Sequence, residues 1–128
     1  MRSRLGRSLL LAGCIVVACA STTAAFDISV DGWRFYRYGA AKVGEFHGQY
    51  RRSSGEKLRS IRVVAIDSAG RWVSGAQAKI MREDKEWAGG VGDFRAVGFY
   101  IEAYVDVRNS RGVVVRQDYY RSRVYAYR

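Results

Sequence analysis

The sequence predicts an all-β protein in which two antiparallel sheets pack face to face behind an N-terminal signal segment. Three observations carry this. From Phe26 onward apolar and polar residues alternate with a period of two, the spacing that sends successive side chains of a strand to opposite faces. Turn signals built from Gly, Asp and Asn recur at short intervals between these stretches. The composition, with 14 Gly, 9 Tyr and no Pro, suits turns and half-buried strands better than long helices. Apolar residues make up 48% and charged residues 27%, a globular balance that excludes a disordered or fibrous chain. A length of 128 residues leaves room for one core.

Arg2, Arg4 and Arg7 precede the uncharged run Leu9–Ala20, and small residues continue to Ala25, the order of a secretory signal peptide. Twelve residues are too few to cross the hydrocarbon core, which takes about 20, unless Ser21–Ala25 is recruited as well. Residues 1–25 therefore read as a signal peptide and 26–128 as the β-sandwich domain, exported to the periplasm or secreted. Cleavage fits before Phe26, after Thr23-Ala24-Ala25, and before Ser21, after Ala18-Cys19-Ala20. Leu11-Ala12-Gly13-Cys14 and Val16-Val17-Ala18-Cys19 both resemble the lipobox of bacterial lipoproteins. Cys14 has too short an apolar run before it, so Cys19 is the lipidation candidate and would tether the product to the membrane. The plainer reading makes both cysteines apolar filler. Losing this segment removes three arginines and no acid, which lowers the formal charge from +10 to +7. The remaining 103 residues contain no cysteine, so no disulfide staples the domain.

Phe26–Val30 alternates, and Asp31-Gly32 predicts a two-residue hairpin turn with Trp33–Tyr38 as the returning strand. Phe46, Gly48 and Tyr50 alternate with His47, Gln49 and Arg51 before a polar loop, Arg52–Glu56. Ile61, Val63 and Ala65 share a face and end at the turn Asp67-Ser68-Ala69-Gly70. In the strand that follows, Trp72, Ala76, Ala78 and Ile80 share a face, with Gly75 as a bulge or close-approach point. Arg82–Gly92 reads as an irregular loop. Phe94–Arg108 is the clearest strand, because Ile101, Ala103, Val105 and Val107 alternate with Tyr100, Glu102, Tyr104, Asp106 and Arg108. Asn109-Ser110-Arg111-Gly112 turns the chain, Val113–Val115 opens another strand, and Tyr119–Tyr127 closes it. A shift of 42 residues superposes Ile61, Val63 and Ala65 on Ala103, Val105 and Val107, Asp67–Gly70 on Asn109–Gly112, and Val73 on Val115. This reads as one hairpin solution used twice rather than a duplicated domain. About 100 residues of such strands fit an immunoglobulin-like sandwich.

The segments Phe46-His47-Gly48-Gln49-Tyr50, Lys57–Val63 and Ile66-Asp67-Ser68-Ala69-Gly70-Arg71-Trp72-Val73 together resemble the FxLYD family of bacterial extracytoplasmic domains. The match covers about a quarter of the chain. It departs where Ile66 stands in place of the family's aromatic before Asp67, and its Val-rich strand is about two residues shorter. The resemblance implies a non-catalytic immunoglobulin-like module at the cell envelope and carries over no catalytic residue.

Chemistry is sparse. His47 is the sole histidine, and the strand reading sets it beside Gln49 and Arg51 on a polar face. A hydrolytic zinc site needs three protein ligands, often several His or Cys, and a nucleophilic serine of the Gly-x-Ser-x-Gly kind is missing. Glu83, Asp84, Glu86 and Asp93 form an acidic cluster without EF-hand spacing, and Arg82 and Lys85 neutralise it. Gly90-Val91-Gly92 lacks the third glycine of a dinucleotide site. Gly98-Phe99-Tyr100-Ile101 lacks the basic residue of an RNA-recognition strand. What remains is a basic, aromatic surface. Arg51, Arg52, Lys57, Arg59 and Arg62 gather around the first polar loop, and Tyr119, Arg121, Arg123, Tyr125 and Tyr127 project from one side of a terminal strand. Guanidinium forks pair with phosphate or carboxylate, and tyrosine rings stack on bases or sugars.

These observations predict an exported, non-catalytic module acting as an envelope-associated binding or accessory protein, with no enzymatic activity, cofactor or metal. Its partner is an envelope polyanion or another protein, and Cys19 offers a membrane tether. The alternative is a dedicated polyanion-binding protein for nucleic acid, lipopolysaccharide or cell-wall polymer, using the Arg/Tyr clusters. A solvated Arg-rich surface, or partly a core edge for the tyrosines, is the plainer account of the same residues. A small hydrolase would require a concave site joining His47 to a carboxylate and a hydroxyl.

Overall fold

Period-two alternation is satisfied only when strands pair, and the described residues from Phe26 onward are mostly in paired strands. The computed structural model describes residues 3–4, 6–7, 26–81 and 85–128. Its strands are β1 (Ser3–Arg4), β2 (Gly6–Arg7), β3 (Asp27–Tyr38), β4 (Ala41–Arg51), β5 (Glu56–Ile66), β6 (Trp72–Gln77), β7 (Lys79–Met81), β8 (Glu86–Asp93), β9 (Gly98–Arg108), β10 (Val114–Arg121) and β11 (Tyr125–Ala126). The first sheet runs β1-β3-β4-β8-β7 and the second β2-β10-β9-β5-β6, with β11 pairing β9 beyond the end of β10. Without β1 and β2 the order is that of strands A-B-E-D against G-F-C-C′, an immunoglobulin-like sandwich. The run Leu9–Ala20, Cys14, Cys19 and both cleavage points lie outside the described residues. So do Glu83 and Asp84.

The inward faces interdigitate as a core rich in aromatic rings. Phe46 lies 6.0 Å from Phe99 and 5.3 Å from Tyr125, and Trp33 lies 4.7 Å from Tyr125. Ile28, Val30, Ile61, Val63, Ile101 and Val105 fill the space beside them. Trp87 of β8 is fully buried, opposite Gly48. Its indole Nε1 passes over Gly48 and donates to the Ser29 carbonyl at 3.2 Å. A Cβ at Gly48 would sit 1.8 Å from that carbonyl oxygen, so only glycine lets the contact form.

Several expectations need correction. Asp31-Gly32 is not a hairpin turn: β3 runs straight through it, with a register shift between Val30 and Gly32. The extra residue is a bulge, and the real turn is at Gly39, whose φ is 62°. Gly32 is used for space instead, since a Cβ there would meet His47 Nε2 at 2.5 Å. Arg82–Gly92 is not a loop, because Glu86–Asp93 is a central strand bonded to β4 and β7. Its glycines are poor strand formers by propensity, yet Trp87 and Val91 alternate inward through them. Glu56 opens β5 rather than ending a loop, and Phe94 lies in a loop before β9.

Trp72 does not share a face with Ala76, Ala78 and Ile80. A register shift between Ala65 and Ile66 turns Trp72 outward to 54% exposure, where it lies over Gly75, while Val73 packs on the core. Nor is this one strand of one sheet. The chain crosses between sheets at Ala78, so β6 pairs β5 and β7 pairs β8. The terminal strand is also broken, after Arg121.

The repeated turn holds, but the strand after it does not keep its face, since Val73 packs on the core and Val115 is exposed. The Asp67 carbonyl accepts the Gly70 amide at 2.9 Å, as the Asn109 carbonyl accepts that of Gly112 at 2.9 Å. Asp67 Oδ1 accepts the Ala69 and Arg71 amides, as Asn109 Oδ1 accepts those of Arg111 and Val113. Gly70 and Gly112 close the turns at φ 79° and 81°. The Arg71 amide, foremost, holds the Asp67 carboxyl below its usual range.

Two predictions follow from glycine and turn geometry. Gly48→Ala should cost about 3 kcal/mol or more by urea unfolding, because carbonyl and indole must both move. Gly112→Ala meets open space and should cost only the left-handed backbone, about 1–2 kcal/mol. Asp67→Asn should keep the turn, as Asn109 does, whereas Asp67→Ala should lower the melting temperature. The lowered carboxyl pKa of Asp67 adds stability that is present above the ordinary aspartate range and lost as pH falls through the folded value. The gap in melting temperature between wild type and Asp67→Asn should therefore close in acid.

Candidate functional site

The predicted basic residues are dispersed by the fold and largely engaged. Arg51 ends β4 and pairs with Asp27 at 3.2 Å. Arg52 donates to the Glu56 carbonyl at 2.8 Å. Arg59 and Arg62 reach Asp106 and Glu102 at 3.5 and 3.9 Å on the outer face of the second sheet. Lys57 is exposed near the start of β5.

The second cluster is split. Ser122 still faces Ile101, its amide donating to the Ile101 carbonyl and its Oγ accepting the Ile101 amide, both at 2.9 Å. Tyr125 then pairs with Phe99, so one extra residue has entered the strand and inverted its faces. Tyr119 and Arg121 stay outside, whereas Tyr125 drops into the core at 2% exposure. Tyr127 packs on Phe35 and Phe99. Arg123 caps the core edge, its guanidinium 3.9 Å from the Tyr125 ring centre.

The outer face of the second sheet brings Arg59, Arg62, Tyr119 and Arg121 together with residues not singled out as site residues. Tyr100, Glu102, Tyr104 and Asp106 are the outward half of β9, and the alternation that defines its inward half was their signal. The Tyr119 hydroxyl donates to Glu102 Oε1 at 2.8 Å. Gln117 donates to Asp106 Oδ1 at 2.9 Å, and Arg121 lies 4.0 Å over the Tyr100 ring. Burial, then the bond to Glu102, pushes the Tyr119 hydroxyl far above the usual tyrosine range. Glu102 and Asp106 are buried beneath this layer, each held by an arginine and a neutral donor. An incoming anion would have to break those pairs, so the face is a self-satisfied layer.

A second basic group forms at one end of the sandwich. The Arg108 amide donates to the Gly55 carbonyl at 2.7 Å, which sets the β4–β5 loop beside the β9–β10 turn. Arg52, Lys57, Arg108 and Arg111 surround this junction. The nearby carboxylates are already engaged: Glu56 accepts the Ser53 amide at 2.7 Å, Asp118, 1% exposed, accepts Arg116 at 2.9 Å, and Asp106, opposite Lys57 in register, accepts Gln117 and Arg59 on the outer face. Among the described residues no carboxylate pairs with Lys57, Arg108 or Arg111.

On the outer face of the first sheet, Ala88 and Gly90 leave a depression of about 550 Å3 walled by Arg34, Glu45, His47 and Lys79. Glu45 accepts Arg34 Nε and the Tyr36 hydroxyl, each at 2.8 Å. Those bonds, Arg34 first, hold its carboxyl below the usual glutamate range. His47 thus meets a carboxylate in a concavity, yet no serine or threonine lines it, and the Tyr36 hydroxyl is spent on Glu45. Glu86 and Asp93 stand at opposite ends of β8. Among the described residues no three His, Cys, Asp or Glu side chains gather as metal ligands, and no helix is long and apolar enough to cross a membrane.

Comparison of the chain with protein-family models, curated proteins and solved structures gave no match.

The two tyrosine environments predict opposite substitution effects. The Tyr125 hydroxyl is buried without a hydrogen-bond partner, so Tyr125→Phe should be neutral or stabilise by up to about 1 kcal/mol. Tyr119→Phe strands the buried Glu102 carboxylate and should cost about 1–2 kcal/mol. Chemical denaturation of both variants checks the pair.

Proposed function

We propose that this chain is an exported, non-catalytic binding module of the cell envelope that meets an anionic partner with the end formed by the β4–β5 loop and the β9–β10 turn. The observation that carries the reading is the bond from the Arg108 amide to the Gly55 carbonyl. It gathers Arg52, Lys57, Arg108 and Arg111 while the nearby carboxylates Glu56, Asp106 and Asp118 are engaged by other partners. Four cations, from the β4–β5 loop, the start of β5, the end of β9 and the β9–β10 turn, present donors to phosphate or carboxylate without first breaking a buried pair. The leader of residues 1–25 and the FxLYD resemblance support the envelope setting. A polyanion is favoured over a small anion because the cations are spread along an end rather than converging in a pocket.

The test is retention of the purified protein on immobilised polyphosphate as salt rises from about 50 to 200 mM. Affinity should fall about tenfold or more if several anionic contacts form. Lys57→Gln with Arg111→Gln should weaken retention and flatten its salt dependence, whereas Arg62→Gln should not. Salt-insensitive retention rejects the reading. Intact mass from the envelope fraction should show a chain starting at Phe26 or Ser21, or an acylated Cys19. Recovery of the unprocessed chain from the cytosol rejects the envelope setting.

A further inference from the structure

The β9–β10 hairpin carries an apolar run that the core does not use. Val113, Val114 and Val115 are 55%, 40% and 59% exposed. Three consecutive exposed aliphatic residues are a solubility liability unless something covers them. The register shift between Val114 and Arg116 explains their position. Val115 is an inserted residue, so the alternation that would turn one of two neighbouring valines inward is suspended there.

Cations collar this tip. Arg111 stands at the apex of the turn, and Arg108 is directly opposite Val114. Arg52 comes from the adjoining loop and Lys57 from the start of β5 beyond it, the loop being fixed by the bond to Gly55. Aliphatic side chains ringed by arginine and lysine match a surface with hydrocarbon beneath an anionic layer. A nucleic acid offers nothing for the valines, and the rings that could stack on bases at this end, Phe26, Tyr50 and Tyr120, are buried. Pairing a second copy along β10 would bring Arg111 and Arg116 of each chain onto a bulged edge, which opposes strand addition. Strand β3 also begins at this end, with Asp27 opposite Arg51 at the close of β4.

We propose that the β9–β10 tip docks on an anionic lipid surface, with Val113–Val115 entering the headgroup boundary and Arg108 and Arg111 lying against lipid phosphates. This rests on the basic end described above and names its partner class. The test uses vesicles of phosphatidylglycerol and phosphatidylcholine in co-sedimentation, with every chain carrying Cys19→Ser so that no acyl group contributes. Wild type should bind the mixed vesicles and bind pure phosphatidylcholine at least tenfold more weakly. Val113→Ser with Val115→Ser should reduce vesicle binding at least tenfold yet leave retention on polyphosphate within twofold. Arg108→Gln with Arg111→Gln should weaken both. Full vesicle binding by the valine variant, or none by wild type, overturns the lipid proposal while the polyphosphate result stands by itself. A wild-type dimer in sedimentation that the valine changes dissociate, without vesicle binding, overturns it in favour of a second copy. Circular dichroism melts of both variants verify that they remain folded.

Discussion

The sandwich depends on glycine facing large rings across a gap that has no cysteine to bridge it. Aromatic side chains fill space between sheets only where the opposing backbone gives way, because interiors tolerate neither overlap nor void. Gly44 gives way to Phe99 and Phe46, with a Cβ there only 2.9 and 3.0 Å from their rings. Gly48 gives way to Trp87, and Gly89 lies against Ala78. The rings from Trp33 to Tyr127 then form one connected layer that touches both sheets. Residues that look like strand breakers in the sequence are thus what allows the strands to close.

This explains which parts of the fold were legible beforehand. The inward half of β9 and the turns at Asp67–Gly70 and Asn109–Gly112 depend on local rules of alternation and turn chemistry, and the structure keeps them. Glu86–Asp93 was hidden because Ala88, Gly89, Gly90 and Gly92 have low strand propensity, and only the ring and backbone opposite them justify their choice. Asp31-Gly32 carries a turn signature, but His47 sits where a Gly32 Cβ would be, a contact made fifteen residues away in sequence. The insertion after Ser122 left no local trace, so Tyr125 and Tyr127 were misplaced while Tyr119 and Arg121 were not. The basic end was half visible: Arg52 and Lys57 were named, but Arg108 and Arg111 join them only through a backbone bond.

Charge distribution follows the same logic. All seven ion pairs among the described residues use arginine, none lysine. A planar fork loses less freedom than a flexible ammonium when it holds a carboxylate at a strand surface. Asp93 shows the economy of this, taking Nε and a terminal nitrogen of Arg95 at 3.0 and 3.1 Å. Such pairs in water contribute little stability each, but they determine where surplus positive charge remains. The outer face of the second sheet is largely paired, and the surplus remains at strand ends and turns such as Lys57, Arg108 and Arg111.

The crossing at Ala78 bears on self-association. A single length of chain borders the second sheet as β6 and the first as β7. Its backbone turns away from each sheet just where an added strand would need a straight border to follow. The crossing interrupts that flank as a template, and the exposed Lys79 on β7 adds a charge at the same border. On the opposite flank β1 lies along β3 and β2 along β10, and β3 and β10 each carry a register shift, so neither side offers an unbroken straight margin for a second chain to extend.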